Sequence, residues 1–174
     1  MSIDFAACVK KAQQGDADAF AELYSLVYKD LYRIALLNLN NQHDASDVVS
    51  DTVLEAYTSI RNLRNEKAFK SWIVKILTVK IKNKQKDYIN TRDYTAEPDD
   101  SDNAFGSSEI DYEGIEVMDG FNKLSEDDRL VLSLDVVSGY KSEEIAGMIG
   151  SNANTVRSKA ARAREKLKRL LTEK

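Results

Sequence analysis

The sequence predicts an all-α protein of two small helical domains joined by a flexible acidic linker. Three observations carry that prediction. The 174 residues include only one proline and seven glycines, so little interrupts a helix. Apolar residues recur at spacings of three and four almost throughout, and no segment alternates like a strand. Between two such stretches, residues 93–119 hold ten Asp or Glu and no Lys or Arg, together with the single proline, Pro98.

In chain order, a first helix runs from about Asp4 to Gln14 and stops at Gly15. A second, from about Ala17 to Asn38, puts Phe20, Leu23, Tyr24, Val27, Leu31, Ile34 and Ala35 on one stripe. Asp44, with Asp47 three positions on, reads as the cap of a third helix reaching about Leu63. Its buried stripe is Val49, Val53, Ala56, Tyr57 and Ile60. The fourth, about Lys67 to Tyr88, turns Phe69, Trp72, Ile73, Ile76, Leu77 and Ile81 inward and a row of lysines outward. These four helices suffice for a bundle over residues 1–92. In the linker that follows, Phe105, Ile110, Tyr112 and Ile115 are apolar enough to dock or to form a turn of helix.

The second domain, residues 120–174, is shorter. Ser125 reads as an N-cap with Glu126, Asp127 and Asp128 in the first turn, where negative charge suits the helix dipole. Gly139 ends that helix after Leu130, Leu134 and Val137. Ser142 reads as the cap of a short helix with Ile145, Ala146 and Ile149 inward, stopping at Gly150. Asn152 then caps a last helix of about twenty residues, with Val156, Ala160, Ala163, Leu167 and Leu170 on its buried face. A short helix, a tight glycine-containing turn and a longer basic helix make a helix-turn-helix.

Composition narrows the function classes. The formal charge is −4, but the 29 acidic residues fall to 19 once the ten of the linker are set aside, against 25 basic ones, so the folded parts are cationic. No signal-peptide pattern opens the chain and no window is apolar enough to span a bilayer, so a cytoplasmic protein without membrane insertion is expected. The lone Cys8 and the lone His43 make neither an internal disulfide nor a customary metal site, and both read as structural residues. No phosphate-binding glycine loop and no nucleophile beside His43 argue for an enzyme, and no cofactor is expected.

Two places concentrate positive charge. In the last helix, Arg157, Lys159, Arg162, Arg164, Lys166, Lys168 and Arg169 project away from the apolar face, and Asn154, Arg157, Ser158 and Arg162 lie near its start, where a helix-turn-helix presents side chains to base edges. In the first domain, Arg61, Arg64, Lys67, Lys70, Lys75, Lys80, Lys82, Lys84 and Lys86 accumulate around Phe69 and Trp72. Cations interleaved with rings suit a single strand, although the spacing of Phe69 and Trp72 fits the core face of the fourth helix better. The loop RNLRNEKAF before them, with Arg61, Asn62, Arg64, Asn65 and Lys67, is the better candidate for touching a base.

Four segments in order carry a family likeness: GDADAFAELYSLVYKDLYRIAL, DASDVVSDTVLEAY, FKSWIVKILTVKIKN, and the stretch from LSEDDRLVLSL to ARAREKL. Through them, nearly the whole chain resembles the extracytoplasmic-function (ECF) sigma factors, small two-domain members of the sigma-70 family that direct bacterial RNA polymerase to promoters. The resemblance implies that the first domain binds the polymerase clamp and the −10 element, and the second the −35 element. It assigns Asp47, Ser50 and Asp51 to polymerase binding, the loop Asn62 to Ala68 to a flipped base, with Phe69, Trp72 and Lys75 beside it, and Arg157, Ser158 and Arg162 to −35 reading. Flipping costs a few kcal/mol of stacking and pairing that such a pocket must return. Core RNA polymerase, promoter DNA and a dedicated anti-sigma factor are the partners implied.

The chain departs from the family pattern at Val79, where Asn is common, at Ser50, where Gln is common, and at Ser151 and Asn154, which replace a common Ile and Gly. Asn154 thereby brings a base contact of its own within reach. The competing reading is a helix-turn-helix regulator that binds duplex DNA without replacing a sigma factor. It accounts for the last helix and leaves the basic, aromatic first domain unexplained.

Overall fold

The computed structural model describes residues 4–94 and 112–173, and every described element is helical. Helices α1 (Phe5–Gln13), α2 (Ala17–Leu39), α3 (Gln42–Ser59) and α4 (Phe69–Tyr94) form the first group, with two short 3₁₀ turns, Ile60–Asn62 and Glu66–Ala68, between α3 and α4. The second group is α5 (Tyr112–Asn122), α6 (Glu126–Val136), α7 (Ser142–Ile149) and α8 (Ala153–Thr172).

Most boundaries follow from capping. The Asp4 and Asp16 side chains accept from the first free N–H groups of α1 and α2. Asn40, at φ 50°, turns the chain out of α2 in the left-handed conformation that Asn tolerates. The cap of α3 is Asn41, whose Oδ1 accepts from Asp44 N at 2.9 Å, so Asp44 sits inside the first turn rather than at the cap. Ser142 is likewise the first helical residue of α7. There Lys141 occupies the cap position, and the Glu144 carboxylate accepts its backbone N–H at 2.8 Å. Ser125 and Asn152 cap as their sequence positions predict.

The expected linker is narrower than its charge suggests, because α4 continues through Tyr94 and α5 already occupies Tyr112–Asn122. Acidic composition marks solvated surface and does not forbid a helix with one apolar face. Met118 and Phe121 of α5 are buried, and α5 lies so close to α8 that a Cβ on Gly120 would come within 2.5 Å of Leu167 Cδ1. Pro98, Phe105 and Ile110 lie outside the described residues.

Buried stripes largely match the sequence periods. Leu23, Leu31, Ile34, Ala35, Ala56, Ile73, Leu77 and Ile81 are essentially inaccessible. Tyr57, by contrast, is 47% exposed, because its ring reaches past the stripe to meet Phe20 edge-on at 5.1 Å. Val53, Trp72, Ile76 and Val137 are only partly buried against the core.

One feature had no sequence signal. The two helical groups share one large apolar cluster, in which Leu130, Val131, Leu134, Ile145, Ala146 and Met148 of α6 and α7 are continuous with the buried residues of α2 and α4, beside a smaller cluster of Phe121, Leu124, Leu132 and Ala163. Inside this seam Asn38, 2% exposed, donates from Nδ2 to Ile34 O at 2.7 Å and to Ser133 Oγ at 2.9 Å, and Ser133 in turn donates to Leu130 O. Lys82 Nζ reaches Ile149 O at 3.4 Å, and Gln85 Nε2 reaches Asn38 O at 3.5 Å. Burial against this core, followed by the negative charges of Glu144 and Asp30, pushes the Tyr140 phenol up to about 12.

A joint core makes unfolding cooperative across both groups. Leu134→Ala in α6 should cost about 2–5 kcal/mol. In urea titrations it should lower the midpoint reported by Trp72 fluorescence, in the other group, as much as that reported by helicity. Two separate transitions would refute the joint core.

Candidate nucleic-acid interface

Helix α8 owes its orientation to the turn before it. Gly150 adopts φ 69°, a left-handed conformation that a side chain would strain, and Ser151 N bonds back to Ala146 O at 3.0 Å to close the end of α7. Asn152 Oδ1 then accepts from Thr155 N at 2.9 Å and starts α8. Val156, Ala160 and Ala163 are buried on α8, as are Ile145, Ala146 and Met148 on α7. That burial leaves Asn154, Arg157, Ser158 and Arg162 together on the exposed side. All four candidate base-reading residues thus share one strip.

The strip has internal order. Arg157 donates from one terminal nitrogen to Asn154 Oδ1 at 2.8 Å and from the other to the carboxylate of Glu143, which comes from the first turn of α7. A hydrogen bond from its own backbone N–H, with Arg157 adding to it, holds the Glu143 carboxyl below the usual range. Arg162 lacks such a clamp, and its Nε reaches Ser158 O at 3.4 Å. Glu143 is a residue that sequence reasoning missed, since it comes from a different helix and nothing in the spacing ties it to Arg157.

Counting cations along α8 overstates its nucleic-acid face. Lys159 pairs with Asp127 at 3.2 Å, and Arg164 pairs with Asp135, both acids lying on α6. These two brace α8 against its own domain. Arg162, Lys166, Lys168 and Arg169 pair with no carboxylate among the described residues.

In the first group, the candidate loop is exposed yet anchored. Gln13 Nε2 from α1 donates to Ile60 O at 3.0 Å and to Leu63 O at 2.8 Å, and Leu63 is buried beneath the loop. Asn65 Oδ1 accepts from Lys67 N at 3.1 Å to start the second 3₁₀ turn. Arg61, Asn62, Arg64, Asn65 and Lys67 all face solvent on this pinned frame.

Phe69 does not join them. At 1% exposure it is a core residue, between the rings of Phe5 at 6.4 Å and Trp72 at 6.0 Å, and no base can stack on it in this arrangement. Trp72 is half-buried and Lys75 exposed. The expected outward row of lysines is also partly spoken for. Lys80 pairs with Glu55 at 2.6 Å, Lys84 pairs with Asp44 at 3.2 Å, and Lys82 reaches across the seam to α7. Lys70 lies 5.0 Å over the Phe5 ring. Val79, one of the departures from the family pattern, is 49% exposed on α4.

A third surface lies on α3, where Asp47, Ser50 and Asp51 are exposed on one face with Leu54, at 64% exposure, one turn on. His43 Nε2 lies 3.6 Å from Asp47 Oδ2 at the solvent edge of that face. An exposed leucine among carboxylates gives the face an apolar anchor that the acidic pattern alone did not reveal. Asp44 belongs to a different arrangement, accepting from Lys84 Nζ and from the Tyr88 hydroxyl and so tying α3 to α4. Burial, and then the facing carboxylate, push the Tyr88 phenol well above its usual range.

Two known protein regions match the two helical groups in chain order. The description "Sigma-70 region 2" matches residues 22–93 and "Sigma-70, region 4" matches residues 115–167. An ECF RNA polymerase sigma-E factor from Haemophilus influenzae is 32% identical over 91% of this chain and 90% of its own length. The chain belongs to the ECF sigma factors of the sigma-70 family. As a sigma factor it works with RNA polymerase and directs promoter-specific initiation. The RNA polymerase sigma factor SigV of Bacillus subtilis is 29% identical over 83% of the chain and 86% of its own length. Among solved structures, the sigma factor RpoE in complex with the anti-sigma factor NepR from Bartonella quintana matches with a TM-score of 0.73 at 23% identity, covering 87% of this chain and 96% of that one. CnrH in complex with the cytosolic domain of CnrY matches with a TM-score of 0.69 at 21% identity, covering 96% of both chains. Both share its fold. Among the described residues, no helix of this sigma factor is long and apolar enough to cross a membrane.

The contrast between Asp44 and Asp47 is measurable. Asp44→Ala leaves a partly buried lysine and tyrosine without their acceptor and should cost about 1–2 kcal/mol. Asp47→Ala, at an exposed site, should stay within about 0.5 kcal/mol of the parent in the same urea titration.

Proposed function

We infer that the two helical groups divide promoter recognition between them. The first group, bounded near residue 92, takes the −10 element, with Arg61, Asn62, Arg64, Asn65, Lys67, Trp72 and Lys75 receiving the separated strand. The second group, from about residue 112, reads the −35 element through Asn154, Arg157, Ser158 and Arg162. Region 2 therefore supplies the melting half and region 4 the duplex-reading half.

The observation that carries this reading is the strip on α8. Burial of Val156, Ala160 and Ala163 fixes which side of α8 faces outward, and that side carries two arginines, an asparagine and a serine. Arginine offers a fork to guanine in the major groove, and serine between the two arginines keeps the helix surface low enough to approach the base edges. In the first group the anchored loop supports a flipped base better than a ring platform would, since Phe69 is committed to the core.

Polymerase engages the face of α3 formed by Asp47, Ser50, Asp51 and Leu54, through its charges and an apolar anchor one turn beyond them. A dedicated anti-sigma factor controls access to such faces. Support comes from the structural neighbour RpoE, a sigma factor captured in complex with the anti-sigma factor NepR. The protein acts in the cytoplasm beside polymerase, as a recognition subunit rather than a catalyst.

The experiment that tests the reading is run-off transcription on pooled promoter fragments, with core RNA polymerase alone and with this factor added. Start sites that require the factor support the reading. Specific duplex binding by the factor alone, without any start, overturns it. Arg157→Ala or Arg162→Ala should lower −35-dependent run-off about tenfold or more. A double Asp47→Lys, Asp51→Lys variant should lose capture by core polymerase while keeping its urea midpoint.

A further inference from the structure

We propose that Glu143 is a positioning residue for −35 recognition, fixing the guanidinium of Arg157 so that it reads one base pair. The proposal rests on the reading that α8 recognises the −35 element. It adds a residue outside α8 to the specificity machinery.

Arg157 is held from two sides, by Asn154 of its own helix and by Glu143 of α7, so the plane of its guanidinium is set before any DNA arrives. Holding two donors in this way leaves three N–H groups of the guanidinium free. Reading guanine requires two of them to meet the O6 and N7 acceptors together, which demands an orientation held within about 10–20°. An unrestrained arginine pays for that orientation with rotamer entropy and finds phosphate oxygens equally attractive.

Glu143 is suited to the task by its own location. It lies in the first turn of α7, where the helix dipole and its own backbone N–H favour the carboxylate. The turn at Gly150 brings that helix end beside the second turn of α8. Both side chains are about half exposed, 53% for Arg157 and 59% for Glu143, so the pair contributes little to folding and retains solvent access for an approaching groove. A carboxylate at this place also repels phosphate, which discourages Arg157 from settling on the DNA backbone. Arg162, which pairs with no carboxylate among the described residues, is free to follow the phosphates. The two arginines of the strip thus do different work.

The test uses the full-length factor with core polymerase and a template library randomised across the −35 element, comparing the parent with Glu143→Ala, Glu143→Gln, Arg157→Ala and the double Glu143→Ala, Arg157→Ala variant. Glu143→Ala should reduce the base preference by about five- to tenfold at the pair where Arg157→Ala abolishes it, and at no other pair. Glu143→Gln, which keeps an acceptor and loses the charge, should fall between Glu143→Ala and the parent. Glu143→Ala should change nothing further in the Arg157→Ala background. Binding to a non-promoter duplex should rise when the carboxylate is removed, while the thermal midpoint stays where it was. An unchanged preference profile in Glu143→Ala, alongside a changed one in Arg157→Ala, overturns the proposal and spares the −35 reading. A loss spread evenly over all pairs also overturns it, because that pattern reports a displaced helix. If Arg157→Ala leaves the profile intact, the −35 reading itself fails and Glu143 falls with it.

Discussion

The apolar seam joining α2 and α4 to α6 and α7 is the constraint on which the rest of the molecule depends. It makes one core of two short helical groups, the second of which, at about sixty residues, would bury little surface alone. At the centre of the seam lies a polar exchange, with Asn38 donating to Ile34 and Ser133. Asn38 Oδ1 is buried there without a protein partner. The two groups are held in register by the hydrogen bond from Asn38 to Ser133.

The seam uses α6 and the inward side of α7, which leaves α8 free to present its outer face. Electrostatics then sorts the cations of α8 by role. Lys159 and Arg164 are drawn back to Asp127 and Asp135 and hold the helix on its support. Arg157 is oriented by Glu143 and Asn154. Arg162, Lys166, Lys168 and Arg169 keep their charge toward solvent. The same sorting occurs in the first group, where Lys80 and Lys84 brace α4 against α3 while the anchored loop keeps its basic and amide side chains outward. The local concentrations of positive charge, not the formal net charge of −4, steer the protein toward nucleic acid, and local pairing decides which side chains can act once it arrives.

Much of the fold was legible because helical cues are local. Ser125 and Asn152 cap helices where the sequence suggested, and Gly139 and Gly150 take positive φ after α6 and α7. Boundaries went astray where two capping residues competed within a few positions, as with Asn41 before Asp44 and Lys141 before Ser142. The helix α5 was hidden inside an acidic stretch, since charge reports on solvation and not on whether one face packs. Phe69 carried two readings in sequence, inward by helical spacing and a base platform by its lysine neighbours, and its 1% exposure between Phe5 and Trp72 decides for the core.

The sequence by itself determined the helices, the turn that creates the recognition helix, the two concentrations of positive charge and the family, because each is written in residue type and short-range spacing. Tertiary structure alone decided which charges are free and which acid stands beside Arg157. Glu143 and Arg157 are fourteen positions apart, and Asn38 and Ser133 ninety-five. No periodicity connects residues at such distances. They meet because apolar faces must be buried together, and which faces meet is a property of the whole core.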